Sequence, residues 1–197
     1  MEIRKEKIAL DLDDTLADTM SAVIDRINRE RGTSITKADF RDWGAHSLEE
    51  EHGIDRGYTI GMYHTVWAEE SERISPMASI DLLKRLTELA DVDIVTGRDR
   101  GNLDHFTAWL EKNYPGVEFR KTVIVSAVRE KAFLGYDTFI DDGPTLATEI
   151  IKEGDPNKRH LLLDRIYNRH IEEDGMRIIR VGGIDEAIET VLKEHGP

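Results

Sequence analysis

The chain contains no cysteine, which excludes disulfides, thiolate zinc sites and a cysteine nucleophile and makes an intracellular enzyme the simplest expectation. No apolar run approaches the length of a membrane span. The first residues, Met1-Glu2-Ile3-Arg4-Lys5-Glu6-Lys7, are charged where a signal peptide would place an apolar stretch. A soluble, cytoplasmic protein is expected. Positive charge is scarce as well: 27 Lys and Arg against 40 Asp and Glu leave a formal charge of −13. Without a basic stripe, neither nucleic acid nor an anionic membrane is expected as a partner, and an anionic substrate would need a local cation. Internal repeats and low-complexity segments are also missing. Glu49-Glu50-Glu51 and Glu69-Glu70 are small acidic clusters, read as solvated helix faces.

What remains is the composition of a globular protein, 39% hydrophobic and 34% charged over 197 residues, enough for one core with an inserted subdomain. Short runs of branched and aliphatic residues at Lys7–Leu10, Val92–Val95, Val123–Val125, Thr138–Ile140, His160–Leu163 and Arg177–Val181 read as strands. Helical patterns lie between most of them: Leu103, Phe106 and Leu110; Leu146, Ile150 and Ile151; and Ile184, Ala187, Ile188, Val191 and Leu192. Strands alternating with helices predict an α/β fold with a parallel sheet covered on both faces. The stretch from Asp11 to Val92 breaks that rhythm, since it has no β segment and is too long for one crossover. Met20, Val23, Ile24 and Ile27 predict a helix there, Tyr58 to Ile74 a second, and Ile80, Leu83, Leu86 and Leu89 a third leading back to the sheet. We therefore expect a core formed by residues 1–18 and 76–197, with a small helical cap at 19–75.

In an open parallel sheet, ligands bind beyond the carboxyl ends of the strands. The first strand ends in Asp11, Asp13, Asp14 and Thr15, the second in Thr96-Gly97-Arg98-Asp99, and the fourth in Asp141-Asp142-Gly143-Pro144. Lys131 stands shortly before the fourth strand, while Lys121 precedes the third and belongs to the opposite edge. Three acids packed into Asp11–Asp14 repel one another and lose hydration, so they call for a divalent cation, a cationic side chain or a shared proton. These parts suit phosphoryl transfer. An aspartate can attack phosphorus, a second acid can protonate the departing oxygen, and Mg²⁺ is the natural counter-ion for oxygen ligands. Thr96 and the N–H that follows could bind phosphate oxygens, with Lys131 balancing charge.

Taken singly, most of these residues have plainer readings: Asp11 and Asp13 as a strand end with a helix cap, Thr96-Gly97-Arg98-Asp99 as a turn, and Asp141-Asp142-Gly143-Pro144 as a turn with proline at the first helical position. Their common placement at strand ends favours the functional reading. Arg98 is balanced between a contact to substrate phosphate and a surface arginine. Phe40, Trp43, Tyr58, Tyr63 and Trp67 are expected mainly as lid core, with one or two lining a pocket. His160 and His170 are expected to be structural, and Asp14 to belong to the turn.

The order Asp11-Leu12-Asp13-Asp14-Thr15, Thr96, Lys131, Asp141-Asp142 resembles the four motifs of the haloacid dehalogenase (HAD) superfamily. The resemblance implies a Rossmann-like core, Asp11 as nucleophile and Asp13 as general acid and base. It also implies Mg²⁺ held by Asp11, the Asp13 carbonyl and Asp142, with Asp141 acting through water; the candidates for holding phosphate are Thr96, Gly97, Arg98 and Lys131. More closely, the chain is similar to the 5′(3′)-deoxyribonucleotidase family in its insert, its spacing from Lys131 to Asp141-Asp142, and its late His160 and Asn168-Arg169. It departs from that pattern at Thr96-Gly97-Arg98, where those enzymes usually carry Thr-Ser-Pro, and at Thr19, where the animal enzymes place a base-stacking aromatic. The implied substrate is a small phosphomonoester, preferably a nucleoside monophosphate, with sugar phosphates as the alternative. A phospho-receiver domain uses similar groups, but its phosphorylated aspartate lies later in the chain and it has no such insert.

Overall fold

The computed structural model describes residues 4–195. Six strands, β1 (Lys7–Leu10), β2 (Asp91–Thr96), β3 (Thr122–Ile124), β4 (Thr138–Asp141), β5 (Arg159–Leu163) and β6 (Ile178–Val181), form one sheet in the order β3-β2-β1-β4-β5-β6. Every pairing is parallel. The chain therefore builds outward from β1 on one side and, after β3, returns to build outward on the other. That reversal falls between β1 and β4, where an open sheet leaves a crevice for ligands.

The strands are apolar almost throughout because both faces are covered. Ile8 and Leu10 pack into one core cluster and Ala9 into the other, as the alternation of a strand requires. Asp93 is one exception, fully buried in β2, where it is paired with Arg120 at 2.9 Å and accepts the Tyr136 hydroxyl at 2.7 Å. The covering helices include α4 (Ile80–Leu89), α5 (Leu103–Asn113), α6 (Pro144–Glu153) and α7 (Ile184–Glu194). The α7 stripe of Ile184, Ala187, Ile188, Val191 and Leu192 is wholly buried. Two expected stripes are narrower than their sequence periodicity. Ile151 is 40% exposed and Leu89 43% exposed, because the buried face of α6 runs through Leu146, Ala147 and Ile150 and Leu89 ends its helix.

Between β1 and β2 the chain is helical: α1 (Thr19–Arg31), α2 (His46–His52) and α3 (Arg56–Glu69), followed by a 3₁₀ turn at Ser71–Arg73. The expected helix from Tyr58 to Ile74 thus starts earlier and stops sooner. Asp55 caps its start by accepting the Tyr58 N–H at 2.7 Å, while Glu70 leaves the helix and pairs with Arg26 and Arg29, each at 2.5 Å. Helix α2 has no apolar periodicity to announce it. Its cap is the Asp42 carboxylate, which accepts the N–H groups of Gly44, His46 and Ser47.

Both ends of this segment meet at its root. Ala17 and Pro76 form an antiparallel bridge, and the Asp18 and Met77 N–H groups donate to Ser75 and Leu16 carbonyls at 2.9 Å. The Tyr114 hydroxyl donates to the Leu16 carbonyl at 2.7 Å, and the Trp109 indole N–H to that of Ile74 at 2.9 Å. The helical segment shares one continuous core with the sheet face beneath it. No helix among the described residues is long and apolar enough to cross a membrane.

Candidate active site

The site is assembled at the carboxyl ends of β1, β2 and β4. The Asp11 N–H donates to the Ile140 carbonyl at 3.0 Å, so parallel pairing carries Asp11 to the sheet edge beside Asp141. The chain then turns sharply. Leu16 and Ala17 N–H groups fold back onto the Leu12 carbonyl, and Asp14 takes a left-handed conformation at φ 56°, one that costs a non-glycine residue energy and survives only where its surroundings enforce it. The enforcing contacts are the Met20 N–H on Asp14 Oδ1 at 2.7 Å and Arg165 on the Asp14 carbonyl at 2.7 Å.

Lys131 lies in a 3₁₀ segment, Val128–Phe133, and is 2% exposed. Its Nζ stands 2.8 Å from Asp11 Oδ1 and 2.6 Å from Asp141 Oδ2. Burial works against the ammonium, but the two carboxylates outweigh it, and the lysine pKa lies above its ordinary value. Asp11 is pushed well above the carboxylate range by burial and by Asp141, despite Lys131; Asp142 is pushed up likewise. Asp11, Asp141 and Asp142 are all buried and offer carboxylate oxygens within 4.8 Å of one another. Three buried acids against one ammonium form an all-oxygen donor set short of positive charge, which fits a hard divalent cation. Asp39, Glu51 and His52 also cluster, but on the surface, where Asp39 is occupied by capping Thr36.

The acidic pair is held from behind. The Asp141 carboxylate curls over the next turn to accept the Gly143 N–H at 2.6 Å, and a Cβ on Gly143 would sit 2.8 Å from that same oxygen. The site therefore requires glycine at this position. His160 Nε2 donates to the Asp141 carbonyl at 2.9 Å, and Asn168 Nδ2 to the Asp142 carbonyl at 2.9 Å. Thr15 donates to Asp142 Oδ1 at 3.4 Å, and the Tyr167 hydroxyl donates to Asp142 Oδ2. The structural role expected of His160 is therefore specific, while Arg169 and His170 are exposed, Arg169 pairing with Asp164 at 3.1 Å. Lys121 sits at the other end of the sheet, 3.8 Å from Asp93.

At the end of β2, Thr96 is buried and its Oγ1 accepts the Arg98 N–H at 3.2 Å. Gly97 is exposed beside Val128, which a Cβ would approach to 3.2 Å. Asp99 caps the turn that follows through the Gly101 N–H at 2.8 Å, as the plain turn reading expects. Arg98 is not a surface residue. It is buried, and its Nε donates to Asp13 Oδ2 at 2.6 Å. Asp13 Oδ1 accepts from the Thr19 hydroxyl at 2.6 Å and from the Trp67 indole N–H at 2.9 Å. Burial opposes the Asp13 charge, but Arg98 and these donors overcome it and hold the carboxyl below its ordinary range. Asp14 next to it is pushed up to about 7 by burial and by Asp13.

Over these groups lies a cavity of about 310 Å³. Asp11, Asp13, Thr96, Gly97, Arg98, Lys131 and Asp141 form its floor, and Phe40, Trp43, Ile60 and Tyr63 from the helical segment form its apolar wall. Arg56, His64 and Asp42 add charge and polarity. Of the expected lid aromatics, Phe40, Trp43 and Tyr63 reach the cavity; Trp67 is buried on Asp13, and Tyr58 bonds Glu30 at 2.6 Å. Asp14 lines the cavity as well as making the turn. Asp142 does not line it, although Tyr167, whose hydroxyl donates to Asp142, does. Nothing in the sequence announces Thr19, Trp67 or Tyr167 as partners of the acids, since each also fits an ordinary apolar helix or loop.

A family model described as 5′ nucleotidase, deoxy (pyrimidine), cytosolic type C protein (NT5C) matches residues 5–193. No curated protein matches the chain. Among solved structures, a haloacid dehalogenase-like hydrolase from Burkholderia xenovorans is 14% identical with a TM-score of 0.60, covering 98% of this chain and 100% of its own. The HAD-hydrolase YfnB from Bacillus subtilis, solved bound to magnesium, is 13% identical at TM-score 0.55, with 96% and 99% covered. CbbY from Rhodobacter sphaeroides, solved in complex with phosphate, is 13% identical at TM-score 0.53, with 92% and 96% covered. At these identities the likeness is one of fold.

Proposed function

Because the chain belongs to the family of 5′ nucleotidase, deoxy (pyrimidine), cytosolic type C proteins, and is thus a phosphatase-type hydrolase, we propose that it is a Mg²⁺-dependent phosphomonoesterase acting on nucleoside monophosphates. The observation that carries this reading is the buried triad of Asp11, Asp141 and Asp142 with Lys131 bridging two of its members. In the first step an Asp11 oxygen attacks phosphorus in line, the bond from phosphorus to the ester oxygen breaks, and Asp13 gives its proton to that oxygen. In the second, Asp13 takes a proton from water, whose oxygen attacks the aspartyl-phosphate and frees Asp11. The resting carboxylate of Asp13 is the form the second step needs. An entering phosphate brings the negative charge that raises its affinity for the proton used in the first.

Asp11, Asp142, Asp141 and the Asp13 carbonyl are the groups for Mg²⁺, which when bound neutralises phosphate charge. Thr96, the N–H groups at Gly97 and Lys131 are the groups for phosphate oxygens. Residues 19–75 act as a cap, a reading supported by the joined root at Ala17 and Pro76 and by the insert's contribution to the cavity wall. Phe40, Trp43 and Tyr63 offer apolar faces suited to a base. The polar contribution of Asp42, Arg56 and His64 keeps sugar phosphates as the second reading.

Phosphate release measured across ribo- and deoxynucleotides and sugar phosphates, with Mg²⁺ or EDTA, tests the proposal. Mg²⁺-dependent turnover led by nucleotides is expected, and abolished in Asp11→Asn with the fold intact. Sugar phosphates ranking first would overturn the substrate; one stoichiometric phosphorylation without turnover, or substantial activity in Asp11→Asn, would overturn the mechanism.

A further inference from the structure

Asp13 has no idle oxygen. Oδ1 accepts two donors, the Thr19 hydroxyl and the Trp67 indole, and Oδ2 accepts Arg98 Nε at 2.6 Å. Arg98 is committed in turn: a second guanidinium nitrogen donates to the Tyr63 carbonyl of α3 at 2.6 Å, and the guanidinium lies 5.8 Å from the centroids of both the Tyr63 and Trp67 rings. Its side chain is 4% exposed. One arginine from the β2 loop thus joins the core acid to the backbone and two aromatic faces of a cap helix. Two N–H groups on separate nitrogens are thus fixed on protein acceptors, which sets the plane of the guanidinium and turns it towards Asp13 and the cap helix.

Resting on the phosphomonoesterase reading, we infer that Arg98 is a positioning residue for the acid and base Asp13, tying its carboxyl to the seated cap helix α3, rather than a ligand of the substrate phosphate. The Asp13 carboxyl then stands where it can pass a proton to the ester oxygen only while Tyr63 and Trp67 are in place above it. Lysine at this position retains the charge but has a single nitrogen in place of a planar fork, so it does not span Asp13 and the Tyr63 carbonyl together.

The test compares wild type, Arg98→Lys and Arg98→Met by kcat/KM, which reports events up to the aspartyl-phosphate. The two substrates are a nucleoside monophosphate, whose alkoxide needs a proton to leave, and dinitrophenyl phosphate, whose phenolate does not. Loss of positioned acid catalysis predicts a fall of about 10²-fold on the nucleotide, with little change on the aryl ester and unchanged inhibition by inorganic phosphate. Equal losses on both esters with weakened phosphate inhibition would make Arg98 a phosphate ligand and overturn the inference. No loss on either ester would also overturn it.

A second readout is independent of turnover. The indole ¹⁵N–H resonance of Trp67 should shift in both variants, while an unchanged far-ultraviolet circular dichroism spectrum serves as the control for fold. An unmoved Trp67 signal refutes the clamp. Wild-type protein inert towards every phosphomonoester, with the Trp67 shift present, would refute the functional reading and leave the clamp standing.

Discussion

Replacing Lys131 by Met probes the charge balance on which the site depends. The ammonium is buried between Asp11 at 2.8 Å and Asp141 at 2.6 Å. Unit charges about 4 Å apart attract by about 4 kcal/mol at an effective dielectric near 20, and the desolvation of the ammonium offsets much of the two attractions. Breaking such a buried pair by removing one partner costs about 3–5 kcal/mol. In a domain of this size each kcal/mol moves Tm by about 2–4 °C, so the variant should melt about 6–20 °C lower in EDTA. The cost depends on pH. Burial already lifts the Asp11 pKa well above its unfolded value, so ionising it disfavours the fold, and that penalty fades as pH falls towards about 4. Losing Lys131 raises the Asp11 pKa further, so the gap between variant and wild type should widen only as pH rises past the folded wild-type pKa of Asp11, which lies well above 3.8. A divalent cation bound to the folded state stabilises by RT ln(1 + [L]/Kd), about 2.7 kcal/mol at 100 times Kd. The more anionic variant should therefore gain more from Mg²⁺ than wild type does. Thermal melts across pH, with Mg²⁺ and with EDTA, decide the matter. A variant melting within about 2 °C of wild type in EDTA at neutral pH, outside the range expected for a broken buried pair, would refute the reasoning.

Tyr167→Phe deletes the hydroxyl that donates to Asp142 but keeps the ring packed 5.3 Å from Trp43; Mg²⁺ affinity by calorimetry should fall about 10–100-fold with little change in Tm. Gly143→Ala drives a methyl against Asp141 Oδ1 and should destabilise by about 1–3 kcal/mol in denaturant titrations while impairing Mg²⁺-dependent turnover. Asp174 accepts the N–H groups of Met176, Arg177 and Ile178, which lower its pKa to about 2. Its ionised form stabilises the turn before β6 above the unfolded value of 3.8, and that contribution disappears as pH falls through about 2. The stability gap between wild type and Asp174→Asn should accordingly close in acid.

The strands were legible because a sheet covered on both faces writes each one as a continuous apolar run, and their observed ends differ from expectation by a residue. Asp11, Lys131 and the Asp141-Asp142 pair were legible for a related reason: a parallel sheet delivers its strand ends to one edge, so order along the chain implies convergence in space. The helical segment was less so. Helix α2 is held by one aspartate taking three backbone N–H groups, a device with no period. The most consequential gap concerns Arg98. Sequence places it in the turn after β2, balanced between a phosphate contact and a surface arginine, yet its direction is set by Asp13, the Tyr63 carbonyl and two rings. Tyr63 and Trp67 are distant in sequence and meet Arg98 because helix α3 lies over the loop that follows β2. Motif spacing identifies which charges converge; which of them neutralise each other depends on side-chain direction, to which spacing is blind. Here that direction decides whether the arginine serves the substrate or the acid.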